Sequence, residues 1–201
     1  MNFLAHLYLS GSNQKIMVGN FIGDFVKGSK FENFEEEIKT GILLHRNIDA
    51  FTDQHPVVIK SKKKLRKKYR HYSGVIVDMF YDHFLAVHWS IFHPIPLEEY
   101  THKAYQTILQ YVSILPEKVT YMLPFMIKNN WLFHYAQKEG VHRALSGMAK
   151  RTSFNSGMEQ AVHDLTLHYE AFQEEFLIFF PEVKAFADEW ISGVSEDEVK
   201  L

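Results

Sequence analysis

Asp78-Met79-Phe80-Tyr81-Asp82-His83-Phe84-Leu85-Ala86-Val87-His88-Trp89 reads as a helix with almost no solvent face. At about 100° per residue, Asp78 and Asp82 lie one above the other, beside Leu85 and Trp89. Met79, Phe80, Tyr81, Phe84, Leu85 and Val87 surround them with apolar surface, which predicts that the helix runs through the interior. Two carboxylates are then buried. An ionised pair in a low-dielectric interior needs a compensating cation, and a divalent metal supplies that charge compactly. Arginine or lysine from another helix, or a neighbouring backbone that the acids cap, would serve as well, and this stretch alone does not choose among them.

The rest of the 201-residue chain repeats the helical pattern, with apolar residues recurring at spacings of three and four and little strand-like alternation. The expectation is an all-α fold, a single-domain helical bundle over residues 1–191, followed by a frayed acidic tail over 192–201 that carries Glu196, Asp197 and Glu198. Hydrophobic residues at 46%, with 17 Phe, suffice for a large core. With no cysteine, disulfides, thiolate zinc sites and a cysteine nucleophile are excluded together. Met1 to Leu9 has no basic leader and is too short for a membrane span, so a cytoplasmic protein that does not enter membranes is expected. A formal charge of −2 gives no overall field that would favour nucleic acid.

Short helices are expected over Met1–Leu9 and Ile16–Val26, then a longer one over Ile38–Asp53 on which His45, Asp49 and Asp53 share a stripe. Pro56 opens a helix to Tyr69 that carries Lys60, Lys62, Lys63, Lys64, Arg66, Lys67 and Lys68, with Arg70 just beyond and no acid among them. Gly74 separates this run from the apolar helix, which Pro94 and Pro96 close. Further helices are expected over Leu97–Leu115, Pro116–Ile127, Trp131–Lys150 with a weak point at Gly140, and Ser156–Phe180. Pro181 should begin a last short segment that ends near Trp190.

His6, Asp24, His45, Asp49, Asp78, Asp82 and His83 all fall in segments expected to be buried. Imidazole nitrogen with carboxylate oxygen is a ligand set for Mn²⁺, Fe²⁺ or Zn²⁺, and acids or imidazoles four apart on two helices can converge on one point. Any one of them alone is more simply a core residue satisfied by a backbone or arginine partner. Seven together, without a matching number of cations nearby, favour a metal.

Four motifs in order carry a resemblance. Met1-Asn2-Phe3-Leu4-Ala5-His6-Leu7, Gly19-Asn20-Phe21-Ile22-Gly23-Asp24-Phe25-Val26-Lys27-Gly28, Leu44-His45-Arg46-Asn47-Ile48-Asp49-Ala50-Phe51-Thr52-Asp53 and Val77-Asp78-Met79-Phe80-Tyr81-Asp82-His83-Phe84-Leu85 resemble the acyl carrier protein phosphodiesterase family. A fainter likeness continues through Asn130-Trp131-Leu132, Gly147-Met148-Ala149-Lys150-Arg151 and Phe179-Phe180-Pro181. The resemblance implies a helical domain distantly related to His-Asp metal phosphohydrolases. It also implies an enzyme that removes the 4′-phosphopantetheine arm from holo acyl carrier protein with Mn²⁺, although Fe²⁺, Mg²⁺ and Zn²⁺ accept the same ligands. The family's acid in the Gly-Asn-x-x-x-Asp motif is Asp24 here. One departure is that Asp82 precedes His83, whereas His-Asp phosphohydrolases place the histidine first.

Phosphodiester hydrolysis needs a strong nucleophile at neutral pH and positive charge near the phosphoryl oxygens. On that basis His45, Asp49, Asp78 and Asp82 are expected as metal ligands, with His6 as a further ligand or orienting one. Asp24 should hold metal or take a proton from the attacking water, and His83 should protonate the departing serine oxygen. Lys27, Arg46 and Arg151 are candidates for the phosphate. Lys62, Lys63, Arg66 and Lys67 should receive the acidic carrier protein. Nucleic acid is disfavoured at this run, where Tyr69 and Tyr72 are the only nearby aromatics. Two other readings keep part of the picture: a phosphohydrolase of a nucleotide or other small phosphoester, and a non-catalytic helical adaptor for an acidic protein or RNA. The sequence gives no oligomeric state.

Overall fold

The computed structural model describes the backbone of residues 1–198 and the side chains of residues 1–194, and among these every regular element is helical. The helices are α1 Phe3–Tyr8, α2 Gln14–Ile22, α3 Glu36–Gln54, α4 Pro56–Tyr69, α5 Ser73–Val87, α6 Trp89–Phe92, α7 Leu97–Gln110, α8 Glu117–Lys128, α9 Trp131–His134, α10 Lys138–Ala149, α11 Ala161–Leu167 and α12 Tyr169–Glu198. Short 3₁₀ turns join several of them, including Gly23–Phe25 after α2 and Arg70–Tyr72 after α4.

Helix α5 is the axis of the fold. From Ile76 to Ala86 its residues are buried apart from the half-exposed Asp78, and α1, α4, α10 and α12 all pack against it. The long α12 lays Phe172, Phe176, Phe179, Phe180, Val183 and Ala187 into the core, against α3, α4 and α5. Beside this centre, α2 and α3 touch backbone to backbone. A Cβ on Gly19 would stand 2.1 Å from the Ile38 carbonyl oxygen, and one on Gly41 would stand 2.2 Å from that of Ile16. Only glycines allow this approach.

Local signals explain where the elements start. Asn13 caps α2 by accepting from the N–H groups of Lys15 and Ile16, Glu36 and Glu37 occupy the first turn of α3, and His55 with Pro56 opens α4. Several expected boundaries move. Pro181 does not end a helix but lies inside α12. The carbonyl deprived of a donor there belongs to the exposed Leu177, and the buried Phe179 and Phe180 before the proline and Val183 and Ala187 after it hold the helix together. The break expected at Gly140 falls earlier, between α9 and α10. Gly140 instead lies inside α10, so close to the His134 carbonyl that a side chain would collide with it. The helix expected over Ser156–Phe180 is divided into α11 and α12. Residues 192–198 of the expected frayed tail continue α12, and residues 199–201 lie outside the described residues.

Candidate metal centre

The close α2–α3 contact brings three polar side chains to one point. His6 comes from α1, and His45 and Asp49 come from α3; their ligand atoms all lie within 4.8 Å of one another. The two imidazoles stack at 3.9 Å between centroids, inclined by 19°. This stacking requires Gly23, since a Cβ there would sit 2.3 Å from Cγ of His45.

Asn20, fully buried on α2, fixes both rings. Its amide nitrogen donates to the His6 carbonyl and to Ser10 Oγ, both at 2.9 Å, which leaves its Oδ1 as an acceptor. His6 Nδ1–H therefore donates to Asn20 Oδ1 at 2.7 Å. His45 Nδ1–H donates to the Asn20 backbone carbonyl at 2.8 Å. With both protons on Nδ1, each Nε2 presents a lone pair, and neither of these buried atoms has a hydrogen-bond partner.

What faces them is carboxylate. Asp49 Oδ1 is 3.3 Å from His6 Nε2, Asp49 Oδ2 is 3.3 Å from His45 Nε2, and Asp24 Oδ1 is 3.3 Å from the same His45 atom. Lone pairs set against lone pairs repel unless a proton or a metal ion lies between them. Neighbouring ligands around a small divalent ion with bonds of about 2.1 Å stand at just such separations, so the donor set fits a metal.

The electrostatics express the same demand for positive charge. Burial alone would lower His45, but Asp24 and Asp49 outweigh it and push the ring up to about 9. Burial and the neighbouring His45 lower His6 to about 4. Burial also works to raise Asp49, yet the two facing histidines and the nearby Met1 ammonium hold it below the usual carboxylate range. Asp24 is likewise lowered, first by His45.

Other expected site residues have different partners. Asp78 Oδ1 pairs at 3.1 Å with the buried Met1 ammonium, which also lies 3.5 Å from Asp49. Asp78 therefore adjoins the cluster through a cation rather than as a fourth member. Asp82 accepts N–H groups from Asn2, Leu4 and Ala5 at 3.1, 2.7 and 3.3 Å. It is spent as a cap on α1, on the strand of backbone that leads to His6, and burial pushes its carboxyl up to about 7. His83 points elsewhere: Nδ1 bonds the Tyr135 carbonyl at 2.7 Å and Nε2 the Tyr169 hydroxyl at 3.1 Å. Neither partner belongs to the cluster, so His83 is not placed to serve a leaving group there.

Arg46 uses its Nη2 to hold the carbonyls of Val26 and Gly28 at 2.9 and 2.8 Å, with its guanidinium over Phe31. It clamps the loop that follows Asp24 instead of standing free for phosphate. Lys27 and Arg151 are exposed. Lys62 pairs with Asp53 at 2.5 Å and lies close enough to Asp78 to oppose slightly the rise that burial gives that carboxyl, while Lys63, Arg66 and Lys67 are exposed on the outer face of α4. Sequence reasoning did not assign roles to Asn20, Gly23 or the Gly19–Gly41 contact. The only signal for them was their position in or beside the quoted motifs.

An all-helical protein built around a buried histidine–aspartate cluster is the class that this fold and site define. The acyl carrier protein phosphodiesterase family model matches residues 1–183. Proteins named acyl carrier protein phosphodiesterase from Escherichia coli O6:H1 and O139:H28 are each 32% identical, over 182 and 188 residues. These alignments cover 90% and 93% of this chain and 94% and 97% of the relatives. The chain belongs to the acyl carrier protein phosphodiesterase family, a family of hydrolases. No solved structure matches it. Among the described residues no helix is long and apolar enough to cross a membrane.

Proposed function

We propose that this protein hydrolyses the phosphodiester joining 4′-phosphopantetheine to the serine of holo acyl carrier protein, with a divalent ion held by His6, His45 and Asp49 and bordered by Asp24. The observation that carries this reading is the pair of orphaned, inward-facing Nε2 atoms, each fixed in the ligating tautomer by Asn20 and each facing carboxylate oxygen. A thiolate-free N/O set of this kind suits Mn²⁺ first, with Fe²⁺, Mg²⁺ and Zn²⁺ as alternatives. When bound, the ion supplies an acidified water at neutral pH and positive charge beside the phosphoryl oxygens.

The chain's own residues do the rest. Asn20 holds both rings so that no reorientation is needed when substrate arrives. Asp24, with a side chain 69% exposed against 40% for Asp49, is the acid of the set most open to solvent, and it would orient the attacking water and take its proton. Arg46 holds the loop that follows Asp24, and Lys27 on that loop is free to meet a phosphate oxygen. The cationic outer face of α4, whose Lys62 end adjoins Asp78, is where an acidic carrier protein would dock. This reading places the protein in the cytoplasm with that substrate.

Purified protein incubated with holo carrier protein and Mn²⁺ should convert it to the apo form by intact mass, and chelator should stop the conversion. Retention of the arm across several carrier proteins, with metal supplied, would refute the substrate; turnover of a nucleotide or small phosphodiester alone would point to the other hydrolase.

A further inference from the structure

Arg70 ends α4 with φ 52° and ψ −122°, the conformation of the first central residue of a type II′ turn. Glycine dominates that position because a Cβ crowds the backbone there. Among the described residues only one other non-glycine, Asn130, has a positive φ, and asparagine is a residue that tolerates it. The backbone bonds at Arg70 do not call for an arginine: its N–H reaches the Arg66 carbonyl, and its own carbonyl accepts from Ser73 Oγ at 2.8 Å. Its side chain is exposed, and among the described residues it makes no hydrogen bond, ion pair or ring contact. A strained backbone is therefore kept for a side chain that the fold does not use, which marks the position as functional.

The surroundings say what the side chain is for. The fold neutralises half of the basic run: Lys60 and Lys64 on the buried Glu175, Lys62 on Asp53 and Lys68 on Asp164. Lys63, Arg66, Lys67 and Arg70 are exposed and have no acid partner among the described residues. At 100° per residue Lys63, Arg66 and Lys67 share an arc of about 100°, opposite the buried Ser61, Leu65 and Tyr69, and Arg70 follows them at the C-terminal end of the helix. From Lys62, beside Asp53 and Asp78, to Arg70 is about 12 Å along the helix. Tyr69 is buried, Tyr72 is half-buried, and the exposed His71 ring lies 4.0 Å from that of Tyr72, so neither tyrosine is openly offered for base stacking.

We propose that Arg70 is the distal anchor of a docking surface for an acidic protein, which lies along Lys63, Arg66, Lys67 and Arg70 and presents its phosphodiester at the Lys62 end. The identity of that protein as a carrier protein rests on the function proposed above. A guanidinium at this end can grip a carboxylate with two bonds, which gives the partner a register as well as an affinity.

The test is Arg70→Gly in the full chain, with Arg70→Asn as a second variant that accepts the same backbone. Binding of holo carrier protein is measured by calorimetry, alongside steady-state turnover and the melting temperature. The expected result is a Kd and KM raised about tenfold, with the loss in KM rather than kcat, a difference that shrinks at high salt, and a Tm that holds or rises as strain is relieved. An unchanged Kd, a lowered Tm with unchanged Kd, or weakened binding of a duplex RNA but not of carrier protein would overturn the inference. Wild-type protein that binds carrier protein through these residues without cleaving it would instead contradict the proposed function and leave the docking surface standing.

Discussion

Asn20 governs the site although it is neither an acid nor a ligand. One buried amide and its own carbonyl set the tautomer of two histidines, and the amide nitrogen ties α2 back to the His6 carbonyl and Ser10. Asn20→Ala removes the His6 acceptor and leaves buried polar groups without partners, while the carbonyl that holds His45 remains. The expected cost is about 2 kcal/mol of stability, measured by denaturant unfolding, and a 10–100-fold weaker affinity for Mn²⁺, measured by calorimetry. Equal metal affinity in the variant would show that the ring orientations do not depend on this residue. The six expected ligands fared unequally for a reason visible at this level. His45 and Asp49, four apart on one helix, were readable as a pair. Asp78 and Asp82 fit the same pattern, but whether a buried acid meets a metal, an ammonium or three backbone N–H groups depends on what packs against it. No spacing rule contains that information.

Among the helices, the contact between α2 and α3 makes the site possible, because it lets the Asn20 carbonyl reach His45. Gly41→Ala should force the pair apart, since the added carbon would stand 2.2 Å from the Ile16 carbonyl oxygen. A loss above about 2 kcal/mol is expected from such overpacking, with metal affinity reduced in whatever protein still folds. A Tm within a degree of wild type would contradict the contact as described. The helical class and the interior course of α5 were legible from periodicity alone, and so was the start of α4 at Pro56. The course of α12 through Pro181 was not. A proline lowers the local preference for helix, whereas Phe176, Phe179, Phe180 and Val183 stabilise it only through residues distant in sequence.

For the molecule as a whole, the cluster is a site that requires a positive charge, held as a proton when no metal is present. His45 is raised from 6.5 to about 9 in the folded protein, so the folded state binds more protons between those values. Its contribution is complete below about pH 6.5 and is lost as pH rises through about 9, a loss on the order of 3 kcal/mol. The Met1 ammonium, raised from 8.0 to about 10, acts with the same sign over a slightly higher range. Metal-free protein should therefore show a Tm that falls between pH 7 and pH 10, and the fall should be shallower in His45→Gln. Identical slopes would mean that His45 does not hold the proton. Charge over a larger span also divides the surface, because four cations of the basic run pair with the protein's own acids and four remain exposed. The basic run was conspicuous in the sequence, but that division depends on Glu175 and Asp164, which lie about a hundred residues away.

Crystals soaked in Mn²⁺ and measured for anomalous scattering test the metal assignment most directly. The account predicts a peak about 2.1 Å from Nε2 of His6 and of His45, with Asp49 completing the inner set and Asp24 at its open side. A Mn²⁺-stimulated protein whose anomalous peak lies elsewhere, with the two Nε2 atoms still bare, would contradict it.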